Sequence, residues 1–285
     1  MSNLSVAPLP LKHSLAREYG VSIAIAVLIF VASATGIVFR ETVYPLDELA
    51  VGFVATDVLN LAAGLPILLI SMWLTRKGHL IGLLCWPGAL LYVLYIYTSY
   101  LALPIRALSI PYILLIPLSA YSVIRFIMNI NSAAVRQQIS EAVPARSTGY
   151  ILTGIAVLVI AYQLVDIATS LVNQAPPDRM ALVQWLDDLV LGSPAIFGGG
   201  YLLLRRRALG YVAGAGLLLM CSLLFIGVIP AMIFQALSAG TSVDLVGILV
   251  VLATGMICFI PFVLYVRGVA TTRPKGSSWQ TSNGI

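Results

Sequence analysis

The stretch "VGFVATDVLNLAAGLPILLISMWL", residues 51–74, decides the fold. It exceeds the roughly 20 apolar residues that a helix needs to cross a bilayer core. Its apolar character is continuous, whereas a barrel strand would alternate over about ten residues. It therefore reads as a transmembrane helix, yet Asp57 and Asn60 sit inside it. A charged side chain at the centre of a membrane helix costs about 2.5–3.5 kcal/mol on insertion scales, so such residues face protein or trapped water.

Composition extends this reading to the whole chain. Of 285 residues, 60% are apolar and 9% charged, against roughly 25% charged in soluble domains. The mean hydropathy is +1.00. So few charges cannot cover a soluble surface of this size, and the solvent is lipid. The expected fold class is all-α, a polytopic membrane bundle of eight transmembrane helices near 20–39, 49–74, 80–103, 108–129, 149–172, 182–204, 209–235 and 244–266. They divide into a segment 1–19, a first four-helix unit 20–130, a connecting loop 131–148, a second unit 149–267 and a tail 268–285. "VASA" (31–34) resembles a signal cleavage site. With seven further spans following, the first is read as a retained helix. The loop "NSAAVRQQISEAVPARS" (131–147) suits a short interfacial helix, and the aperiodic tail from Thr271 is expected to be disordered.

Basic residues give an orientation. Lys12, Arg17, Arg76, Lys77, Arg125, Arg136, Arg146, Arg205, Arg206, Arg207, Arg267, Arg273 and Lys275 fall on one side, and Arg40, Arg106 and Arg179 on the other. Positive-inside statistics then put both termini in the cytoplasm and the chain in the cell's inner membrane as a multi-pass protein. The net charge of +5 belongs to loops facing anionic lipid, so membrane lipids, not nucleic acid, are the expected partners.

Cofactor chemistry finds little support. His13 and His79 lie outside the spans, no lysine lies within one, and Cys85, Cys221 and Cys258 are scattered without CxxC spacing. A haem held by paired intramembrane histidines is excluded on those grounds, the same facts argue against a histidine-built zinc site and a retinal Schiff base, and no cofactor or metal is expected.

A shift of 128 residues superposes landmarks. "GLPILLISMWLTRKGHLIGLLCWPG" (64–88) falls on "GSPAIFGGGYLLLRRRALGYVAGAG" (192–216), matching Gly64 with Gly192, Pro66 with Pro194, Trp73 with Tyr201, Lys77 with Arg205, and Gly88 with Gly216. The expectation is a 4+4 tandem repeat whose units run parallel, related by an axis along the membrane normal.

"FRE" (39–41), Asp57, "GLP", "MWLTRKG" (72–78) and "WPGALLYVLYIYTSY" (86–100) resemble a family of uncharacterised bacterial eight-span integral membrane proteins. The resemblance is clearest over the first four helices. It implies a bacterial membrane protein and no particular activity. Separately, "YPLDEL" (44–49) is similar to a proline-acid-acid segment of lycopene cyclase membrane domains, although the surrounding helices do not match.

The acids are distributed unevenly. Glu18 and Glu141 lie on the basic side, whereas Glu41, Asp47, Glu48, Asp57, Asp166, Asp178, Asp187, Asp188 and Asp244 lie on the other. At 1.5 Å per residue, Asp57 is roughly 12 Å and Asp166 roughly 9 Å from that boundary, with Asp187 and Asp188 at similar depth. At 100° per residue, Asp57, Asn60, Gly64 and Ser71 share one stripe. Tyr162, Gln163, Asp166, Thr169, Ser170 and Asn173 share a second, and Gln184, Asp188, Ala195 and Gly199 a third. Tyr92 and Tyr95 are placed to offer hydroxyls to the carboxylates, while Tyr97 and Tyr100 suit an interfacial aromatic belt. Arg40 and Arg106 suit rim ion pairs with the acids.

The candidate substrate-binding set is thus Asp57, Asn60, Tyr92, Tyr95, Gln163, Asp166, Gln184 and Asp188, expected to line one outward-opening polar cavity. The leading function is binding or passage of a small cationic or hydrogen-bonding solute, with proton coupling through the carboxylates. One alternative is an enzyme using paired carboxylates on a lipid or isoprenoid. Another is an accessory subunit of a larger complex, or a homodimer.

Overall fold

The computed structural model describes residues 9–44, 47–238 and 240–272. The expected tail beyond residue 272 and the side chains of Asp47 and Glu48 lie outside the description.

Among the described residues, eight helices are long and apolar enough to cross a membrane: Ala16–Val38, Ala50–Arg76, Leu80–Ala102, Ile110–Asn129, Ala145–Val172, Arg179–Leu204, Ala208–Leu237 and Leu245–Thr271. They are spans 1 to 8 below. The expected spans are recovered in number and order, and most helices extend a few residues further. Such extension follows from continuing helical hydrogen bonds into the polar flanks, which an apolarity count does not register. The connecting loop contains a short helix, Ser132–Ile139, capped by the Asn131 side chain. Its Val135 and Ile139 are fully buried.

Span 3 is the centre of the bundle. Of its most apolar window 72% is buried, against 39% or less in the others. The sequence explains why it can be surrounded. Gly82 abuts the end of span 2, where an added Cβ would lie 2.5 Å from the Thr75 backbone nitrogen. Gly88 meets Gly216 of span 7 so closely that a Cβ on Gly88 would lie 2.3 Å from the Gly216 Cα. Small residues at a crossing let backbones approach, and in lipid that close packing replaces the hydrophobic drive. Trp86 completes the centre, with Tyr19 and Phe126 each 4.6 Å away between ring centroids, and its indole N–H donates to Ser22 Oγ at 3.0 Å.

Matching contacts recur at the 128-residue shift. The indented join of spans 2 and 3 has Lys77 over the Trp73 ring at 5.8 Å, and that of spans 6 and 7 has Arg205 over Tyr201 at 5.4 Å. The first turn closes with His79 N–H to Leu74 O and Gly78 N–H to Thr75 O; the second closes with Arg207 N–H to Leu202 O and Arg206 N–H to Leu203 O. Both pairs form the double-bonded helix stop that needs a left-handed residue, here Gly78 at φ 82° and Arg206 at φ 51°. Gly210 packs on the Leu203 backbone nitrogen at 2.4 Å from its would-be Cβ, as Gly82 packs on Thr75.

Candidate functional site

Spans 2 and 6 each contain one wide turn, Asn60–Gly64 and Asp187–Gly192. In them Leu65 N–H reaches back to Asn60 O, and Ser193 N–H to Asp188 O. The local cause is the next residue. Pro66 and Pro194 have no N–H and their rings clash with the carbonyl four residues earlier, and a π turn accommodates that conflict. Gly64 and Gly192 let tyrosine rings of span 3 lie against these turns. A Cβ on either would sit 3.0 Å from Tyr92 Cε1 or Tyr95 Cε2, respectively.

In the first half, Asp57 is fully buried. Its Oδ1 accepts from Tyr100 Oη at 2.8 Å, and its Oδ2 accepts from Tyr44 Oη. Burial first, and the adjacent carboxylate second, push the Tyr44 phenol above its ordinary range, so it remains a donor. Gly36 makes the fit possible, since a Cβ there would lie 2.0 Å from Asp57 Oδ2. Tyr92 Oη donates to Asn60 Oδ1 at 3.0 Å, Asn60 Nδ2 donates to Tyr97 Oη at 3.4 Å, and Tyr97 shares a 3.1 Å bond with Ser33. Phe53 and Tyr44 meet Tyr100 edge-on, and Tyr112 packs against it at a tilt. Every polar end of this cluster has a partner, and aromatic rings pack around it.

In the second half, Asp188 Oδ1 accepts from Tyr95 Oη at 2.5 Å, and its Oδ2 accepts from Gln163 Nε2. Asp187 Oδ2 accepts from Ser99 Oγ at 2.7 Å. Two buried atoms here lack a protein partner, Asp187 Oδ1 and Ser193 Oγ. Beside Ser193 lies a cavity of about 450 Å³, within the range of small-molecule sites. Its polar end carries Tyr95, Gln163, Gln184, Asp188 and Ser193, and its remaining wall is mostly apolar, with Leu59, Leu158, Phe225 and Val228 among the lining. Asp188 lies nine residues into span 6, about 14 Å along the axis.

The eight candidates therefore separate. Tyr95, Gln163, Gln184 and Asp188 line one cavity. Asp57, Asn60 and Tyr92 belong to the sealed cluster across span 3 and do not line it. Asp166 is exposed and accepts from Trp185 Nε1 at 2.8 Å. The expected single layer of four converging carboxylates is corrected accordingly. Span 5 is exposed on nearly all sides beyond Gln163, so its polar stripe there faces outward.

Three further expectations change. Tyr97 and Tyr100 are each 1% exposed and hydrogen-bonded inside the first cluster, so they form no interfacial belt. Asp178 and Asp244 cap helix starts, accepting from Ala181 and Gly247 N–H groups, which accounts for two acids of that end by local geometry. Among the described residues, Arg106 donates to Thr42 O at 3.0 Å and to no acid.

Residues missed from sequence include Tyr44, Ser33 and Ser193. A lone serine in an apolar run carries no periodic signal, and Tyr44 precedes the span it serves. Also missed was Glu18, buried near the basic end with Arg125 Nη2 at 3.5 Å, where Ser119 and Ser122 Oγ also lack partners. Comparison with protein-family models, with curated proteins and with solved structures finds no match to this chain.

Proposed function

We propose that the protein is a ligand-binding membrane bundle whose site is the cavity of its second half. Asp188 is the acceptor for a cationic or hydrogen-bond-donating group. The observation that carries this reading is the unequal completion of the two halves. Asp57 and Asp188 each have both oxygens hydrogen-bonded, but Asp57 lies among packed aromatics, whereas Asp188 and Ser193 border open volume, and Ser193 Oγ has no protein partner. A buried polar group without a partner costs about 1–3 kcal/mol, a cost that a ligand hydrogen bond offsets.

The contacts that recur 128 residues apart support a 4+4 tandem repeat, and the pairing of Gly88 with Gly216 is what a two-fold axis between spans 3 and 7 produces. On the positive-inside rule, the basic ends face the cytoplasm of a bacterial inner membrane and the cavity lies in the outward half. The resemblance over the first four helices agrees with that setting.

The test is equilibrium binding of a panel of small primary amines and amino alcohols, ethylamine first, to protein in phosphatidylcholine liposomes. Asp188→Asn and Gln163→Leu are expected to weaken binding at least about tenfold, and Asp57→Asn to leave it unchanged. Binding indifferent to Asp188→Asn would refute the reading.

A further inference from the structure

The cavity has walls on spans 2, 3, 5, 6 and 7, with Thr56 and Leu59 from span 2 and Thr254 contributed by span 8. In the first half, the corresponding outer pair, spans 1 and 4, pack along each other. Spans 5 and 8 touch only sparsely, and the cavity lies where their contact is missing. Its span 5 edge is formed by side chains on the bundle's outer face, Leu158 at 68% and Tyr162 at 65% exposure. At that depth the outer face of a spanning bundle meets acyl chains, not water. The polar end is confined to the Asp188 side, while the wall running from there towards Ile155 and Ile196 is apolar.

Resting on the reading above, we infer that the site takes a single-chain amphiphile entering sideways from the bilayer between spans 5 and 8. Its amine or hydroxyl head sits at Asp188, Gln163 and Ser193, and its hydrocarbon tail lies along Leu158, Phe225 and Val228. A tail already dissolved in lipid gains little from an apolar cavity, because hydrocarbon and leucine are alike as solvents. The head contacts therefore supply selectivity. The tail supplies access, by concentrating the ligand in the membrane beside the opening. A water-soluble amine has no such advantage.

The experiment measures binding to the full chain in phosphatidylcholine nanodiscs with three probes, dodecylamine, dodecanol and ethylamine. Dodecylamine is expected to bind at total concentrations at least about tenfold below ethylamine, with dodecanol between them. Asp188→Asn should weaken both amines. Leu158→Trp narrows the opening at an exposed position, where folding is not at stake, and should weaken dodecylamine more than ethylamine. Equal affinity for the two amines, or a Leu158→Trp effect no larger on dodecylamine, overturns lateral entry and leaves the Asp188 site standing. Loss of Asp188 dependence for every probe overturns both. Dodecylamine retained by Asp188→Asn at wild-type affinity identifies simple partitioning into lipid and overturns the inference.

Discussion

The two halves of this bundle start from the same local grammar and reach opposite ends. Each has a proline-induced wide turn headed by a polar side chain, Asn60 or Asp188, and each receives a tyrosine from span 3. In the first half, Tyr44, Tyr97, Tyr100 and Ser33 then close over the turn and leave no polar end free. In the second, the residues 128 positions after Tyr92 and Tyr97 are Met220 and Phe225; neither supplies a hydroxyl, and the space stays open beside Asp188. A polar residue in a membrane helix is thus not informative by itself. What matters is whether its neighbours also fill the space around it.

That contrast can be broken from the sealed side first. Gly36→Ala puts a methyl group onto the Asp57 carboxylate, and overpacking of this kind costs about 1–3 kcal/mol. Because it also separates Tyr44 from Asp57, the largest drop in thermal midpoint is expected here, with ligand binding retained in the surviving folded protein. Asp57→Ala strands two buried hydroxyls and should destabilise by about 2 kcal/mol. The same change at Asp188 should cost less stability, since its partners border open volume, but should abolish binding. Denaturation midpoints of the two variants check the ordering, and a larger loss for Asp188→Ala would reverse the assignment of sealed and open halves.

Smaller effects sharpen it. Gly78→Ala places a Cβ in the left-handed region and should cost roughly 1 kcal/mol, whereas Arg206→Gly at the equivalent stop relieves the same strain and should be neutral or stabilising. Tyr97→Phe removes one hydrogen-bonding hydroxyl from the sealed cluster. Side-chain hydrogen bonds inside membrane bundles average about 0.6 kcal/mol, so a shift near that size is expected in unfolding measurements, with no change in binding.

Much of this was legible in the sequence. The continuous apolar runs gave the spans, and the glycine and proline landmarks at a fixed shift anticipated matching turns at Gly78 and Arg206. The depth of Asp57, Asp187 and Asp188 also followed from counting residues. Facing directions were harder. Ideal angles of 100° per residue do not carry through a π turn, so Ser193 fell off the expected stripe of span 6, yet it is buried. Span 3 posed a different difficulty. Tyr92, Tyr95, Tyr97 and Tyr100 surround a helix with neighbours on every side, and no periodicity assigns each hydroxyl to one neighbour. Only packing separates Tyr95 and Ser99, which serve span 6, from Tyr92, Tyr97 and Tyr100, which serve spans 1 and 2.

The contrast between halves is tested most directly by thiol accessibility in membranes. In a background with Cys85, Cys221 and Cys258 replaced by alanine, Ser193→Cys and Ser33→Cys would each be treated with N-ethylmaleimide and modification followed by mass. Both positions are buried at 1% exposure or less, so exposure alone does not separate them. The cavity beside Ser193 predicts rapid modification there and little or none at Ser33. Equal modification of the two, or faster modification at Ser33, would contradict the account.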